Sequence, residues 1–129
     1  MIILLVNNKR DESGVFAEAL RRVDMTIRLE LAEDGADAFR YLTQHPDRKP
    51  GLIVVDETGF PFVQKLRRHS GFTDIPVTVY TTSTNPDDID ASIAFGASFF
   101  PKPTSYFALV KLLKKRLERL TSERIDGAS

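Results

Sequence analysis

The stretch "IPVTVYTTSTNPDDIDASIAFGASFFPK", residues 75–102, contains a complete strand–helix–strand pattern. Apolar runs with β-branched or aromatic residues occupy both of its ends, which is typical of strands. The middle begins with Asn85 and Pro86, which are favoured at a helix N-cap and in the first helical turn, and it ends at Gly96, which is favoured just after a helix. The stretch therefore predicts two parallel strands joined by a crossover helix.

The same alternation runs through the whole chain. Strands are predicted at 2–6, 26–32, 51–56, 75–82 and 98–102, and helices at 14–23, 34–44, 60–69, 85–96 and 104–120. Asp34 is a candidate N-cap, and Pro61 suits the first turn of its helix. Repeated alternation of this kind predicts an α/β fold, with one five-stranded parallel sheet and helices on both faces. We expect one domain over residues 1–129, with a core at 1–120 and a frayed tail at 121–129.

The composition excludes several classes of protein. The 129 residues include 18 basic and 18 acidic side chains, and this balance argues against nucleic-acid binding, which needs a basic surplus. No apolar run approaches the ~20 residues of a membrane span, and the N-terminus lacks the positive region of a signal peptide. There is no cysteine, so disulfides and thiolate metal sites are excluded. The expected location is the cytoplasm, with no membrane contact.

Polar side chains follow the predicted strands where each strand ends. Asn7 and Asn8 follow the first strand, Asp56 ends the third, Thr81 ends the fourth and Lys102 ends the fifth. Because sites in parallel α/β sheets form beyond the carboxyl ends of the strands, these groups are expected to converge. The segment "NNKRDESG" after the first strand matches no phosphate-binding loop, which disfavours a nucleotide or flavin site. The two histidines fall in or beside helices, far from the strand ends. The sequence therefore supplies no histidine for a catalytic triad or a metal site there.

The motifs "ILLVNN", "LIVVD", "IPVTVYTTS", "AFGAS" and "PKP" carry a family resemblance over nearly the full chain. The chain resembles the receiver domain of bacterial two-component response regulators, and its last third is similar to that of the small single-domain regulators. This resemblance implies a flavodoxin-like fold with strand order 2-1-3-4-5. It also implies that Asp56 accepts a phosphoryl group, that the Thr81 hydroxyl hydrogen-bonds this group and that Lys102 pairs with it. A carboxylate nucleophile with a nearby cation and hydroxyl donor is the chemistry that such transfer requires.

Two features depart from the family pattern at the metal site. Receivers usually carry two acids where this chain has Asn7 and Asn8, and these acids hold Mg²⁺. With both acids the pocket would carry −3 + 1 = −2 charges, whereas here it carries −1 + 1 = 0. Removing one charge ~4 Å from a dication forfeits up to ~8 kcal/mol at an effective dielectric of 20. The loop after Asp56 is also shortened, which displaces the backbone carbonyl of Thr58, a metal contact by analogy.

These departures predict weak Mg²⁺ binding or none, and no other cofactor in the resting state. Lys9 or Arg10 could replace the metal's charge beside Asp56, although both also fit as solvated loop residues. Asp11 or Glu12 could instead supply a carboxylate, although both have the pattern of ordinary first-turn acids.

The segment between Gly96 and Lys102 is one residue short of the family pattern. Counting back from Lys102 makes Phe99 the switch aromatic of the family, whereas counting forward from Gly96 favours Phe100. The final helix places Phe107 on its apolar stripe. Its basic residues form either a solvated face or a docking surface for an acidic partner: Lys111, Lys114, Lys115, Arg116 and Arg119.

Three functions remain open on the sequence. The first is a pseudo-receiver that signals by protein contact with impaired metal-dependent phosphorylation at Asp56. The second is a working phospho-acceptor with an atypical Mg²⁺ site or none, and the third is a small-ligand-binding flavodoxin-like protein. For a receiver, the expected partners are a sensor histidine kinase or other phosphorelay protein, and a target bound through the last strand and its flanking helices. Enzymatic chemistry would be limited to phosphorylation and dephosphorylation of Asp56.

Overall fold

The computed structural model describes residues 1–82 and 85–128. Its strands are Ile2–Val6 (β1), Arg28–Ala32 (β2), Leu52–Val55 (β3), Val77–Thr81 (β4) and Ser98–Pro101 (β5), and its helices are Arg10–Val23 (α1), Gly35–Gln44 (α2), Phe60–Arg68 (α3), Pro86–Ala94 (α4) and Tyr106–Ala128 (α5). All four strand pairings are parallel, and the order across the sheet is β2-β1-β3-β4-β5. The predicted fold class and strand order are confirmed.

Local capping explains where the helices begin and end. The Asp34 carboxylate accepts a hydrogen bond from the Asp37 amide at 2.8 Å, and the Asn85 side chain accepts one from the Asp87 amide at 3.0 Å. Gly96 has φ +70°, a left-handed conformation that favours glycine. These three signals were read correctly from the sequence.

Two helices differ in length from the prediction. Helix α1 begins at Arg10 rather than at 14, so the acids Asp11 and Glu12 lie in its first turn. Helix α5 continues to Ala128, beyond the predicted end at 120. Fraying of residues 121–129 stays a prediction, and Ser129 lies outside the described residues. None of the described helices is long and apolar enough to cross a membrane.

The sheet separates two apolar layers by strand alternation. On β1, Leu4 and Val6 pack in the layer that contains α2 and α3 residues. Ile3 and Leu5 pack in the opposite layer, with residues of α1 and α5. Because successive strand residues point to opposite faces, Asn7 continues the Ile3–Leu5 row towards α1. The alternation thus decides which helix the end of β1 can contact.

Helix α5 buries most of its predicted apolar stripe and differs from the prediction at two positions. Phe107 was expected in the core but is 68% exposed, whereas Arg116 was placed among the basic positions but is buried. The buried stripe runs through Leu109, Leu113 and Leu120 at helical spacing, and this register includes position 116. The cation is accommodated because Arg116 Nε donates to the Thr78 hydroxyl oxygen at 3.0 Å.

A single 3₁₀ turn, Glu57–Gly59, connects β3 to α3. The chain therefore passes directly from Asp56 into the helix, as the shortened loop predicted. A Cβ built at Gly59 would lie 2.8 Å from Val55 Cβ, in the last residue of β3. Glycine at position 59 thus permits the close approach of this turn to the strand.

We expect Gly59→Ala to lower the free energy of unfolding by about 1–3 kcal/mol, because the added methyl group overpacks Val55. Gly14→Ala is the matched control: its Cβ meets nothing within 4 Å inside α1. Alanine there should raise stability by about 0.5–1 kcal/mol. Urea unfolding of both variants measures the two effects, and equal changes of the same sign would contradict this account of the turn.

Candidate functional site

The carboxyl ends of β1, β3, β4 and β5 bring the predicted site residues to one edge of the sheet. Val6 pairs with Val55, so Asn7 and Asp56 follow neighbouring positions on adjacent strands. The Lys102 backbone amide donates to the Thr81 carbonyl oxygen at 2.8 Å, which fixes the end of β5 beside β4. The strand ends that carry these residues therefore lie side by side, whereas the shared site that the sequence predicts for their side chains stays a prediction.

The ammonium group of Lys102 is bound by Glu12. Lys102 Nζ lies 3.0 Å from Glu12 Oε1 and 3.1 Å from Oε2, and the lysine side chain is only 13% exposed. The Asn7 side-chain amide donates to Glu12 Oε2 at 3.1 Å. One carboxylate from the first turn of α1 thus joins the ends of β1 and β5.

Glu12 was missed as a site residue because it was read as an ordinary first-turn acid. The available signal was helical geometry: with α1 beginning at Arg10, the residue two positions later lies beside the strand ends. The predicted apolar pattern of this helix began at 14, so it indicated no register that would place Glu12 beside the strand ends.

Two groups of this cluster have shifted pKa values, Glu12 because burial is outweighed by its polar contacts and Tyr80 because of its burial. Burial opposes ionisation of Glu12, but hydrogen bonds from Asn7 and Lys102 and the charges of Lys102 and Lys9 together hold its pKa below the ordinary value. Burial, with a smaller contribution from Glu12, raises the pKa of Tyr80 to about 12. The Tyr80 ring lies 5.5 Å from Lys102 Nζ. At neutral pH the cluster therefore contains an ionised Glu12 and a neutral phenol.

Asp56 is engaged locally instead of by Lys102. Its Oδ1 accepts hydrogen bonds from the Thr58 amide at 3.0 Å and from the Thr58 hydroxyl, and it caps the 3₁₀ turn. Within the described part of the chain, the ion pair of Lys102 is with Glu12 and not with Asp56. The assignment of Asp56 as phospho-acceptor stays a prediction, as does the metal contact through the Thr58 carbonyl.

The two threonines at the end of β4 lie in different surroundings. Thr81 is completely buried, whereas Thr82 is exposed and lines a groove of about 420 Å³ together with Asn7, Glu12 and Lys102. The proposed hydrogen bond from the Thr81 hydroxyl to a phosphoryl group stays a prediction. Thr82 is a hydroxyl of this groove that the sequence reading did not select.

Lys9 and Arg10, the candidates to replace the charge of the metal, lie in different surroundings. The Lys9 amide donates to Asn7 Oδ1 at 2.6 Å, and Lys9 is the exposed N-cap residue of α1. Arg10 and the exposed Asn8 line a separate groove of about 810 Å³ between α1 and α2. Replacement of the metal's charge by Lys9 or Arg10 stays a prediction.

The two candidate switch aromatics pack on opposite faces of the sheet. Phe99 packs against the α2–α3 layer, and Phe100 lines a small cavity with Phe16 and Arg116 on the α1–α5 side. Both are half-buried. Which of them acts as a switch stays a prediction.

The donor atoms present do not fit a tight Mg²⁺ site. With Glu12 included, the cluster carries −2 + 1 = −1, one charge more negative than the sequence suggested. That added carboxylate is already bound by Lys102 and Asn7. Among the described residues, no group of three or more acidic, histidine or cysteine side chains could hold a metal ion. Asp56, the exposed Asp11 and neutral amides remain, and Mg²⁺ prefers carboxylates and water to amides.

Because its pKa is depressed, ionised Glu12 should stabilise the fold most at neutral pH, and this stabilisation should fade as the pH falls below the ordinary value of 4.5. We expect Glu12→Gln to be less stable than wild type by about 0.5–1 kcal/mol at neutral pH, since the pair is partly exposed. Denaturant unfolding between neutral pH and pH 3 measures the difference. Glu18→Gln, an exposed position of the same helix, is the control. A difference that persists unchanged at low pH would contradict the charge-based origin.

Comparisons with known proteins agree with this architecture. No family model matches the chain. The probable methanogenesis regulatory protein FilR2 of Methanothrix harundinacea is 28% identical over 123 residues, covering 88% of this chain and 79% of the relative. Response regulator Rcp1 of Synechocystis sp. is 30% identical over 100 residues, covering 70% of this chain and 68% of the relative.

Solved structures show the same fold. The phosphorylated cyanobacterial phytochrome response regulator RcpA superposes with a TM-score of 0.83 at 25% identity, over 95% of this chain and 94% of that protein. The Mn²⁺-bound form of Rcp1 gives a TM-score of 0.77 at 27% identity, over 88% of this chain and 89% of that protein. With five parallel strands in the order 2-1-3-4-5 and these relatives, the chain belongs to the response-regulator family and is a receiver domain.

Proposed function

We propose that this receiver domain signals by protein–protein contact and that metal-dependent phosphorylation of Asp56 is impaired. The observation that carries the proposal is the engagement of Lys102 by Glu12 at 3.0 and 3.1 Å. Phosphoryl transfer to a carboxylate needs fixed cations near the transferring oxygens. Here the positive charge of Lys102 is already paired with Glu12, and Asn7 and Asn8 supply no negative charge to hold a dication.

A working phospho-acceptor is the alternative. It is favoured by the position of Asp56 at the end of β3, and by the existence of a similar regulator, RcpA, in a phosphorylated form. In that reaction an Asp56 oxygen would bond to phosphorus, and the bond from phosphorus to the donor's leaving atom would break, which is a nitrogen in a phosphohistidine and an oxygen in acetyl phosphate. The leaving group would depart with the electron pair. The two functions differ in the rate of this step and in its dependence on Mg²⁺.

The proposed partners are a sensor histidine kinase or another phosphorelay protein, and a target that binds the face formed by β5, α4 and α5. Ile93 on α4 is 65% exposed and Phe107 on α5 is 68% exposed, so this face presents large apolar side chains. Exposed basic residues of α5 lie on the same helix and suit an acidic partner: Lys111, Lys114, Lys115 and Arg119. The cytoplasmic location stays a prediction.

Mg²⁺ binding tests the metal part of the proposal. We expect wild type to bind Mg²⁺ weakly, and Asn8→Asp to bind it at least about tenfold more tightly, because a carboxylate near a dication contributes several kcal/mol. Isothermal titration with MgCl₂ measures both affinities. Asn85→Asp, on the loop before α4, is the control for added charge away from the metal position. Tight binding by wild type would contradict the proposal.

Phosphorylation itself is tested by intact mass after incubation with acetyl phosphate, with and without Mg²⁺. We expect little adduct on wild type under either condition, and none on Asp56→Asn. An adduct of about 80 Da that forms readily on wild type and is absent from Asp56→Asn would establish the working acceptor instead.

A further inference from the structure

The ion pair between Glu12 and Lys102 lies at the edge of the sheet where the strand that carries Asp56 also ends. It joins side chains 90 residues apart, from the first turn of α1 to the end of β5. The lysine side chain is 13% exposed and the glutamate side chain 37%, so solvent screens the pair only in part. Both Glu12 oxygens face the ammonium group.

The ion pair also determines whether a cation is available to a phosphoryl group on Asp56. A phosphoryl group on Asp56 adds roughly −1.5 to −2 charges at neutral pH and strong acceptor oxygens. Lys102 is the cation that the strand ends present to this edge, and its ammonium is held by Glu12. A phosphoryl group must therefore draw the ammonium away from Glu12 or share it.

Asn7 holds Glu12 in this position. Its amide nitrogen donates to Glu12 Oε2 at 3.1 Å, and its amide oxygen accepts from the Lys9 amide at 2.6 Å. A carboxylate at position 7 could not donate to Glu12 and would repel it. The neutral amide of Asn7 thus permits Glu12 to bind the ammonium group of Lys102.

We propose that Glu12 is a positioning residue that holds Lys102 in the resting state and competes with the phosphoryl group on Asp56 for its ammonium. This inference rests on the proposed role of Asp56 as phospho-acceptor. It predicts that removing the Glu12 charge frees Lys102 to face the incoming phosphoryl oxygens and speeds transfer. The residue acts through Lys102 and makes no bond to phosphorus.

The test is the initial rate of Asp56 phosphorylation by acetyl phosphate in Mg²⁺, followed by intact mass. In this reaction the phosphoryl group moves to an Asp56 oxygen and acetate leaves with the electron pair. We expect Glu12→Gln to react about two- to fivefold faster than wild type, the factor that a partly exposed charged pair supplies. Glu18→Gln, an exposed acid on α1, should match wild type.

A double variant separates this role from a merely structural one. If Glu12 acts through Lys102, the gain must vanish in Glu12→Gln/Lys102→Gln relative to Lys102→Gln alone. A gain that persists without Lys102, a Glu12→Gln rate equal to or below that of wild type, or no adduct on Glu12→Gln would each overturn the inference. Circular dichroism melts confirm that each variant is folded.

The outcomes for the proposed function remain distinct. Ready labelling of wild type would overturn impaired phosphorylation, yet a faster Glu12→Gln would still support the competition for Lys102. Poor labelling of wild type with no gain in Glu12→Gln would support impaired phosphorylation and overturn the role of Glu12.

Discussion

The ion pair between Lys102 and Glu12 is the interaction on which the electrostatics of the site depend. It binds the last strand to the first helix and consumes the cation that the resemblance would pair with Asp56. The Asp56 carboxylate takes its hydrogen bonds from Thr58, two residues later in the chain. Each of these side chains has a hydrogen-bond partner, and the resting cluster keeps one net negative charge because no cation pairs with Asp56 among the ion pairs of the described residues. A phosphoryl group entering this edge would have to exchange those partners, whereas in an acidic pocket it would join a bound dication.

The strand alternation explains why this pairing is possible. Asn7 continues the row of Ile3 and Leu5, which packs with α1 and α5, so its amide meets the first turn of α1. Arg116 of α5 reaches Thr78 on this same side of the sheet. On the α1–α5 side, the poorly exposed cations Lys102 and Arg116 thus each have a defined polar partner. The opposite layer, with α2 and α3, is assembled mainly from apolar side chains.

The sequence predicted the topology and most element positions because periodicity, caps and turn residues are local signals. Asp34, Asn85 and Gly96 act as their residue types suggested. The errors arose where tertiary register decides the outcome. Phe107 is exposed and Arg116 is buried, the reverse of what their residue types suggest. Packing against the sheet selects the buried stripe of α5, and helical spacing alone leaves that choice open. Glu12 was overlooked because its partner Lys102 lies 90 residues away in the sequence, where no local signal connects the two.

Asn7 and Glu12 are best understood as one coupled feature. Loss of an acid at position 7 removes a negative charge from the strand end, and by itself it would leave Lys102 with less compensation. Glu12 supplies that charge from the helix, and the Asn7 amide donates the hydrogen bond that orients it. The net charge of the cluster therefore falls between that of an acidic metal site and the neutral pocket that the strand ends alone imply. Since carboxylates at both positions would repel one another, an acid at position 7 and the present Glu12–Lys102 geometry exclude each other. The Asn7 amide, which weakens the metal site, thus also stabilises Glu12 as the partner of Lys102.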